Sequence, residues 1–442
     1  MNNNKGYFAE LSAVWLSREV EAGRMSSTEL VMRSLQSIDD LNTQLNAFVH
    51  VDREGALRTA SMLDEELASG RRRSELHGLP IAIKDNIDTA DQPTTYGSHF
   101  YAQHQPERDA PLVAKLKALG AVIVGKTLTS EFALGPTGEY SYQGGARNPY
   151  DPSRVSGGSS AGSAVAVAAG MVPLAVGTDT AGSVRIPAAF CGIVGFKPSY
   201  GRTHLEGVFP VSKTLDQVGP LGKSVADAAL LFSALDRGPS VSHDGGVRRI
   251  AWLDSGDVIQ VTSEIKARCR HALEQHVPST PITSLTLSDS QLEAREVFST
   301  ILLSEAYAVH HEYMATYRDT FSREQYERLL PGADLPAWLY VKAQQKRNAL
   351  IEQMSRLFDS YDLIALPTTT ISAPPFSLEQ VSINGHVYRT RDAINTLTSV
   401  WSLLGLPAIS IPAGLVDGLP CGLQLIAAPN RDEWLMTMLS TA

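Results

Sequence analysis

Ser160-Ala-Gly-Ser-Ala-Val-Ala-Val-Ala-Ala-Gly170-Met-Val-Pro-Leu-Ala-Val-Gly177-Thr-Asp-Thr-Ala-Gly-Ser-Val-Arg-Ile-Pro187 is the stretch that decides the fold. Ser160 to Gly170 is built of small and apolar residues and reads as a helix. Val172-Pro-Leu-Ala-Val176 is a short apolar run closed by Gly177, the pattern of a buried strand. From Gly177 to Pro187 small and hydroxyl residues follow, where a strand gives way to a turn. Helix, strand and small-residue turn in succession predict one unit of an α/β sheet.

The alternation continues outward. Leu79-Pro-Ile-Ala-Ile-Lys84 reads as a strand, Asp109 to Leu119 as a helix, and Ala121-Val-Ile-Val124 as a second strand. Upstream, the first 70 residues read as helices. Ser26-x-x-Glu29 makes a capping-box pattern ahead of Leu30, Val31, Leu35, Ile38 and Leu41. Residues 240–330 are less sharply patterned and are expected to be a peripheral segment. Pro336 suits the first residue of a long helix reaching about Tyr361. Strands are expected at Leu363–Leu366, Ala408–Ile411 and Gly422–Ile426. Between them Asn384-Gly385 marks a hairpin over Ser382–Tyr388. Strand patterns at both ends of the chain argue for one interwoven α/β domain, its sheet covered by helices on both faces.

The 442 residues carry 38 Lys plus Arg against 47 Asp plus Glu, a formal charge of −9, which argues against a nucleic-acid binder. Cys191, Cys269 and Cys421 are far apart and form no C-x-x-C pair, so neither a disulfide framework nor a cysteine zinc site is expected. Met1 to Tyr7 lacks the apolar core of a signal peptide. The small-apolar stretch Ala164–Gly177 is shorter than the roughly 18 residues a membrane helix needs. A cytoplasmic protein without a membrane partner is the expectation.

Two motif matches fail on context. Gly120-Ala-Val-Ile-Val-Gly-Lys-Thr127 spells a nucleotide P-loop, but a helix precedes Gly120 and its variable positions are strand-like, so a turn and a buried strand ending at Lys126 fit better. Gly158-Ser-Ser-Ala-Gly162 spells a hydrolase nucleophile elbow. The polar, two-proline stretch before it is no strand, and no histidine has a context that recommends it. His310-His-Glu312, the nearest approach to a metal cluster, reads as an exposed helix face.

A third constellation has better physics. Lys84 ends an apolar strand, where desolvation would lower its pKa toward that of a base; the plainer reading is a lysine snorkelling to solvent. Gly157-Gly-Ser-Ser160 and Gly177 to Pro187 are small-residue runs on either side of one helix and strand. Adjacent backbone N–H groups in the second run suit an oxyanion hole, with Ser183 placed as a nucleophile; the plainer reading is two Gly/Ser turns.

Taken together, Pro80-Ile-Ala-Ile-Lys-Asp-Asn86, Gly125-Lys-Thr127, Glu131-Phe132, Gly157-Gly-Ser-Ser160, Gly177 to Pro187, Gly195-Phe-Lys-Pro198, Ser212-Lys-Thr-Leu-Asp216 and Gly219-Pro220 resemble the amidase signature hydrolases. The resemblance resumes at Gly405-Leu-Pro-Ala-Ile-Ser410 and Leu419-Pro-Cys-Gly-Leu-Gln-Leu425. It implies a single large domain around a central mixed β-sheet, divided into helices (1–75), signature core (78–235), peripheral segment (240–330) and a return to the sheet (331–442). It also implies a Ser–cis-Ser–Lys triad. Lys84 would be the base, Ser159 the serine in a cis peptide, and Ser183 the nucleophile that forms an acyl-enzyme, with N–H groups of Thr180, Ala181, Gly182 and Ser183 as the oxyanion hole. No cofactor or metal enters that chemistry. Ala161 and Ala181 stand where the family usually has glycine, and Asp179 and Arg185 are expected to brace the loop.

The family's substrates range widely, and a small-molecule carboxamide is the expected partner, with a homodimer left open. Glutamine-hydrolysing amidotransferase subunits typically carry Asp about ten residues before Gly-Leu-Pro; this chain has Asn395 there. The hairpin and Gln424-Leu-Ile-Ala-Ala-Pro429 look somewhat like carboxybiuret-hydrolase-type amidases. The alternatives are a tRNA-dependent amidotransferase subunit that needs a partner, and a non-catalytic scaffold.

Overall fold

The structure is a computed structural model that describes residues 5–238, 246–256, 258–278, 280–316 and 318–440. Eleven strands form one mixed sheet. In chain order its first six are β1 (Phe48–Val51), β2 (Pro80–Lys84), β3 (Val122–Thr127), β4 (Leu174–Asp179), β5 (Val194–Lys197) and β6 (Gln217–Gly222). Then come β7 (Ile250–Asp254), β8 (Ile282–Thr286) and β9 (Leu363–Pro367). A separate hairpin, β10 (Gln380–Ile383) and β11 (His386–Arg389), precedes the last two sheet strands, β12 (Ala408–Val416) and β13 (Leu419–Ile426). The spatial order is β1-β3-β2-β4-β6-β5-β12-β13-β9-β7-β8. β2 runs parallel to β3 and β4, and β7 parallel to β8 and β9, while the strands between these groups are antiparallel.

Helices cover both faces, which is why the central strands read as continuous apolar runs rather than alternating ones. α1 (Ala13–Glu21), α2 (Ser27–Leu45) and α3 (Arg53–Ala68) come first. Ser26 caps α2 by accepting the Glu29 N–H at 3.0 Å, and the helix buries Leu30, Val31, Leu35, Ile38 and Leu41. α4 (Pro111–Ala118), α5 (Ala161–Ala168), α6 (Arg185–Cys191) and α7 (Val225–Leu235) surround the signature core. α8 (Ser263–His276), α9 (Ser288–Thr316), α10 (Arg323–Leu329), α11 (Ala337–Ser355), α12 (Leu357–Ser360), α13 (Thr390–Leu403) and α14 (Asp432–Ser440) complete the set.

Several elements depart from the sequence reading. A strand, β1, interrupts the first 70 residues; Phe48 is buried there and pairs with Thr127 at the sheet edge. β3 runs through Gly125-Lys126-Thr127, so the P-loop lookalike is a turn at Gly120 (φ +86°) and a wholly buried strand. Its lysine is accommodated because Lys126 Nζ donates to the Ile87 carbonyl (2.7 Å) and Thr94 Oγ1 (2.6 Å) and lies 3.5 Å from Asp85. Residues 240–330 begin outside the described residues, at 240–245; beyond these they supply β7 and β8 at one end of the sheet and α9 across one face. His310 on α9 corrects the expectation of an exposed face. It is fully buried among Phe132, Phe209 and Phe321, neither ring nitrogen has a hydrogen-bond partner among the described residues, and burial pushes its pKa down to about 4. His311 and Glu312 alone of that triplet are exposed.

Candidate active site

The site lies where the parallel strands β2 and β4 end at their carboxyl termini, the position where open α/β sheets commonly bind ligands. Ile83 pairs with Val176 in parallel register, so Lys84 leaves the ladder beside Gly177 and Thr178. There the side chain is wholly buried, with Nζ 2.8 Å from Ser159 Oγ and 2.7 Å from Thr178 Oγ1. The snorkelling alternative is thereby excluded. Burial pushes the Lys84 pKa down to about 7, and the carboxylates of Asp179 and Asp216 only partly oppose it.

Ser159 arrives from the other side. The Gly158–Ser159 peptide is cis, and α5 starts two residues later. Ser160, the serine that the elbow motif would make a nucleophile, is fully buried; its Oγ accepts from the Thr178 N–H (3.2 Å) and donates to the Thr178 carbonyl (3.1 Å). That double bond clamps the serine run to β4. The Ser160 N–H also donates to the Ser183 carbonyl at 3.1 Å, stitching the two small-residue runs together.

Ser183 stands on the turn before α6. Asp179 organises that turn, its Oδ1 accepting the Gly182 N–H at 2.8 Å and its Oδ2 the Val184 N–H at 3.2 Å. Arg185 closes on the same carboxylate through Nε and an η nitrogen, both at 2.9 Å, and reaches Gln424 and Ser402. Both charges are wholly buried, and the arginine is the strongest of the groups that hold Asp179 below the usual carboxylate range against its desolvation. The Gly182 N–H is thus committed to Asp179. Among the described residues the N–H groups of Thr180, Ala181 and Ser183 have no hydrogen-bond partner. Gly182 has φ +134°, and a Cβ there would stand 2.3 Å from Thr398 Oγ1.

Lys84 and Ser159 are therefore in contact, and the Ser183 backbone is tied beside them. No hydrogen bond joins Ser159 Oγ to Ser183 Oγ among the described residues. Asp216, which the sequence showed only as the end of a motif with no role given, adds a support. It accepts from Thr180 Oγ1 (2.5 Å) and from the N–H groups of Val211 and Ser212 (2.9 and 3.0 Å), and burial pushes its pKa up to about 6.

Ser183 lines a small cavity together with the apolar side chains of Leu134, Ile186, Val211 and Leu302 and the polar ones of Arg328 and Asn395. Arg328, on α10, is half-buried and within 4 Å of no carboxylate among the described residues; desolvation and nearby Arg391 push its pKa down to about 10, against the opposing pull of Glu324 and Asp392. α10 is fixed against the cavity wall by Gln325 Nε2, which donates to the Leu134 carbonyl at 2.7 Å, and by the Ser322 N–H, which donates to Glu131 at 3.0 Å. Arg328 lies far from the motifs in sequence, and only the fold could reveal it. Asn395 was visible through its spacing to Gly405.

The family model described as Amidase matches residues 29–244 and 259–436. The chain is 35% identical to a glutamyl-tRNA(Gln) amidotransferase subunit of Symbiobacterium thermophilum, covering 96% of this chain and 95% of that one. It is 33% identical to AtzE, the 1-carboxybiuret hydrolase subunit of Pseudomonas sp. (strain ADP), covering 96% of each. A solved structure described as an amidase superposes with a TM-score of 0.90 at 35% identity, over 98% of both chains.

Proposed function

The chain belongs to the amidase family, enzymes that hydrolyse amide C–N bonds, and from that premise we propose that it cleaves a small anionic carboxamide through an acyl-enzyme on Ser183. The observation that carries this reading is the buried Lys84 at 2.8 Å from Ser159, with its pKa near neutrality. Near neutral pH a lysine of that kind holds a lone pair for a proton, which an exposed one does not.

Ser183 Oγ attacks the carbonyl carbon as its proton passes to Ser159 Oγ, and the Ser159 proton passes to Lys84. This requires a rotation of the Ser183 side chain that closes the leg to Ser159 as the carbonyl seats. N–H groups of Thr180, Ala181 and Ser183 take up the charge on the carbonyl oxygen, with Asp216 holding Thr180 in place. When the tetrahedral centre collapses, the C–N bond breaks and the relay returns the proton to the leaving nitrogen. Water then attacks the ester by the same route, releasing the acid and restoring Ser183.

Arg328 supports the anionic part of the reading. A half-buried guanidinium with no carboxylate within 4 Å among the described residues, Glu324 and Asp392 acting on it only from further off, rewards a substrate that brings one, because charge-assisted bonds strengthen where water is scarce. The relative named as a 1-carboxybiuret hydrolase acts on an amide bearing a carboxyl group, which points the same way. Likeness to the amidotransferase relative favours a second reading, glutamine hydrolysis with a partner protein. Glutamine would also bring an ammonium, and Asn395 in the cavity lining offers it a neutral amide rather than a carboxylate.

Ammonia release from half-amides of dicarboxylic acids, their neutral isosteres and glutamine tests the choice. Preference for half-amides by the isolated chain is expected. Turnover of glutamine alone, and only on adding a partner protein, would overturn it.

A further inference from the structure

Thr178 is the point at which the buried polar groups behind Ser159 converge. Lys84 Nζ is 2.7 Å from Thr178 Oγ1 and 3.5 Å from the Thr178 carbonyl, besides its 2.8 Å approach to Ser159 Oγ. On the other side of the threonine hydroxyl, Asn86 Nδ2 stands at 3.2 Å. Lys84, Asn86, Thr178 and Ser159 are all at most 4% exposed, so each proton here must be accounted for within the group.

A neutral amine has two N–H groups and one lone pair. For Lys84 to act as a base the lone pair must face the Ser159 hydroxyl. The Thr178 carbonyl can only accept, so it takes one N–H, and the other must go to Thr178 Oγ1. The threonine's own proton then needs an acceptor that is not Lys84. Among the described residues the only other side chain bonded to that hydroxyl is Asn86, which offers it an N–H. In that arrangement the threonine proton has no side-chain acceptor among the described residues other than the Lys84 lone pair, for which it competes with Ser159. Meanwhile Asn86 Oδ1 is buried without a hydrogen-bond partner. A half-turn of the amide plane about its soft terminal torsion exchanges the two atoms.

We propose that Asn86 is a positioning residue that sets the direction of the proton relay. With Oδ1 toward Thr178 it accepts the threonine hydroxyl proton. Lys84 then donates both N–H groups to Thr178, and its lone pair receives the proton of Ser159. With Nδ2 toward Thr178, the threonine proton is left to compete with Ser159 for that lone pair, and the relay is weakened. The proposal rests on the acyl-enzyme reading above and adds to it a residue that touches neither substrate nor nucleophile.

The charged groups around Lys84 that could shift a pH profile are few. β4 carries Asp179, neutralised by Arg185; the 211–216 loop carries Asp216; Asp85 and Lys126 pair with each other where β2 and β3 end. α5, Ala161–Ala168, carries no charge.

The test is the pH dependence of kcat and KM for Asn86→Asp, Asn86→Leu, Thr178→Ser and Thr178→Val. Asn86→Asp can only accept, so it should keep plateau kcat within about tenfold of wild type and move the acidic limb up by about one pH unit, the new charge favouring the ammonium. Asn86→Leu should lose about a hundredfold in kcat with little change in KM. Thr178→Ser should restore most of what Thr178→Val loses, which keeps the test decisive if an Asn86 variant fails to fold. Equal losses in Asn86→Asp and Asn86→Leu with unmoved limbs would overturn the proposal. So would full kcat in Asn86→Leu beside loss in Lys84→Ala, which refutes this proposal alone. Wild-type turnover in Lys84→Ala would refute the relay itself.

Discussion

Replacing Lys84 by methionine isolates the protonation state on which the mechanism depends. The folded protein holds Lys84 near a pKa of about 7, against an ordinary value of 10.5 that the unfolded chain restores. Between those values the unfolded state binds more protons than the folded one, so the contribution of Lys84 to stability rises with pH. Below pH 7 both states carry the proton, and the native state bears an ammonium in a dry interior. At pH 9, two units above the folded pKa, the gain is two units at about 1.36 kcal/mol each, or about 2.7 kcal/mol. At pH 6 it is close to zero. Lys84→Met lacks this titration and keeps every other ionisable group, so the pH effects of groups that do not interact with Lys84 cancel in the difference, leaving the Lys84 titration with only the smaller adjustments of Asp179 and Asp216. Urea denaturation of wild type and Lys84→Met at pH 6 and pH 9 gives that difference directly. The wild type should gain about 2.7 kcal/mol on the variant between the two pH values. A stability difference that stays constant across this range would refute a neutral lysine at the site.

Arg328→Gln should lower kcat/KM for half-amide substrates by about 10- to 150-fold, the worth of a hydrogen bond to a charged group, and leave neutral isosteres within a few-fold; steady-state kinetics on matched pairs checks this. Gly182→Ala places a Cβ 2.3 Å from Thr398 Oγ1 and 2.7 Å from the Ile186 side chain at φ +134°, displacing the turn that carries Ser183. Its kcat should fall by about a hundredfold or more while circular dichroism shows the fold retained. His310→Leu should protect against acid. The buried imidazole stays neutral down to about pH 4 when folded but charges below about 6.5 when unfolded, so wild type loses stability as pH falls through that window and the variant does not. Thermal denaturation at pH 7 and pH 4.5 should show a gap that widens by about 2–3 kcal/mol at the lower pH.

The sheet was legible where strands are apolar and bounded by glycine or proline. β2, β4, β9, β12 and β13 all fall on such runs, and Asn384-Gly385 forms the expected turn with φ +50° and +83°. Charge hid the remainder of β3, because Lys126 looks like a strand end until its partners Ile87, Thr94 and Asp85 are seen around it. β8 was hidden because it lies at the sheet's end and is half-exposed, which dilutes its pattern, whereas β7, Ile250–Asp254, is a buried apolar run that the sequence reading passed over within its peripheral segment. For His310 a signal existed: Ala306, His310 and Met314 repeat at helical spacing, and all three are buried. At the site, Lys84 and Ser183 were singled out by the segments they sit in and Ser159 by the family resemblance, and the structure places Lys84 beside Ser159 with the Ser183 backbone tied to Ser160. Asp216, Thr178, Asn86 and Arg328 matter through contacts made across the sheet and between helices. Their sequence neighbourhoods say nothing of those contacts.

The central claim is that Ser183 carries the acyl group. Intact mass of the protein quenched during turnover of a slowly deacylating activated ester, followed by peptide mapping, measures this directly. One acyl group on the peptide containing Ser183, absent in Ser183→Ala and strongly slowed in Lys84→Ala, is the result predicted. Equal labelling of wild type and Ser183→Ala, or an adduct mapped to another residue, would contradict it.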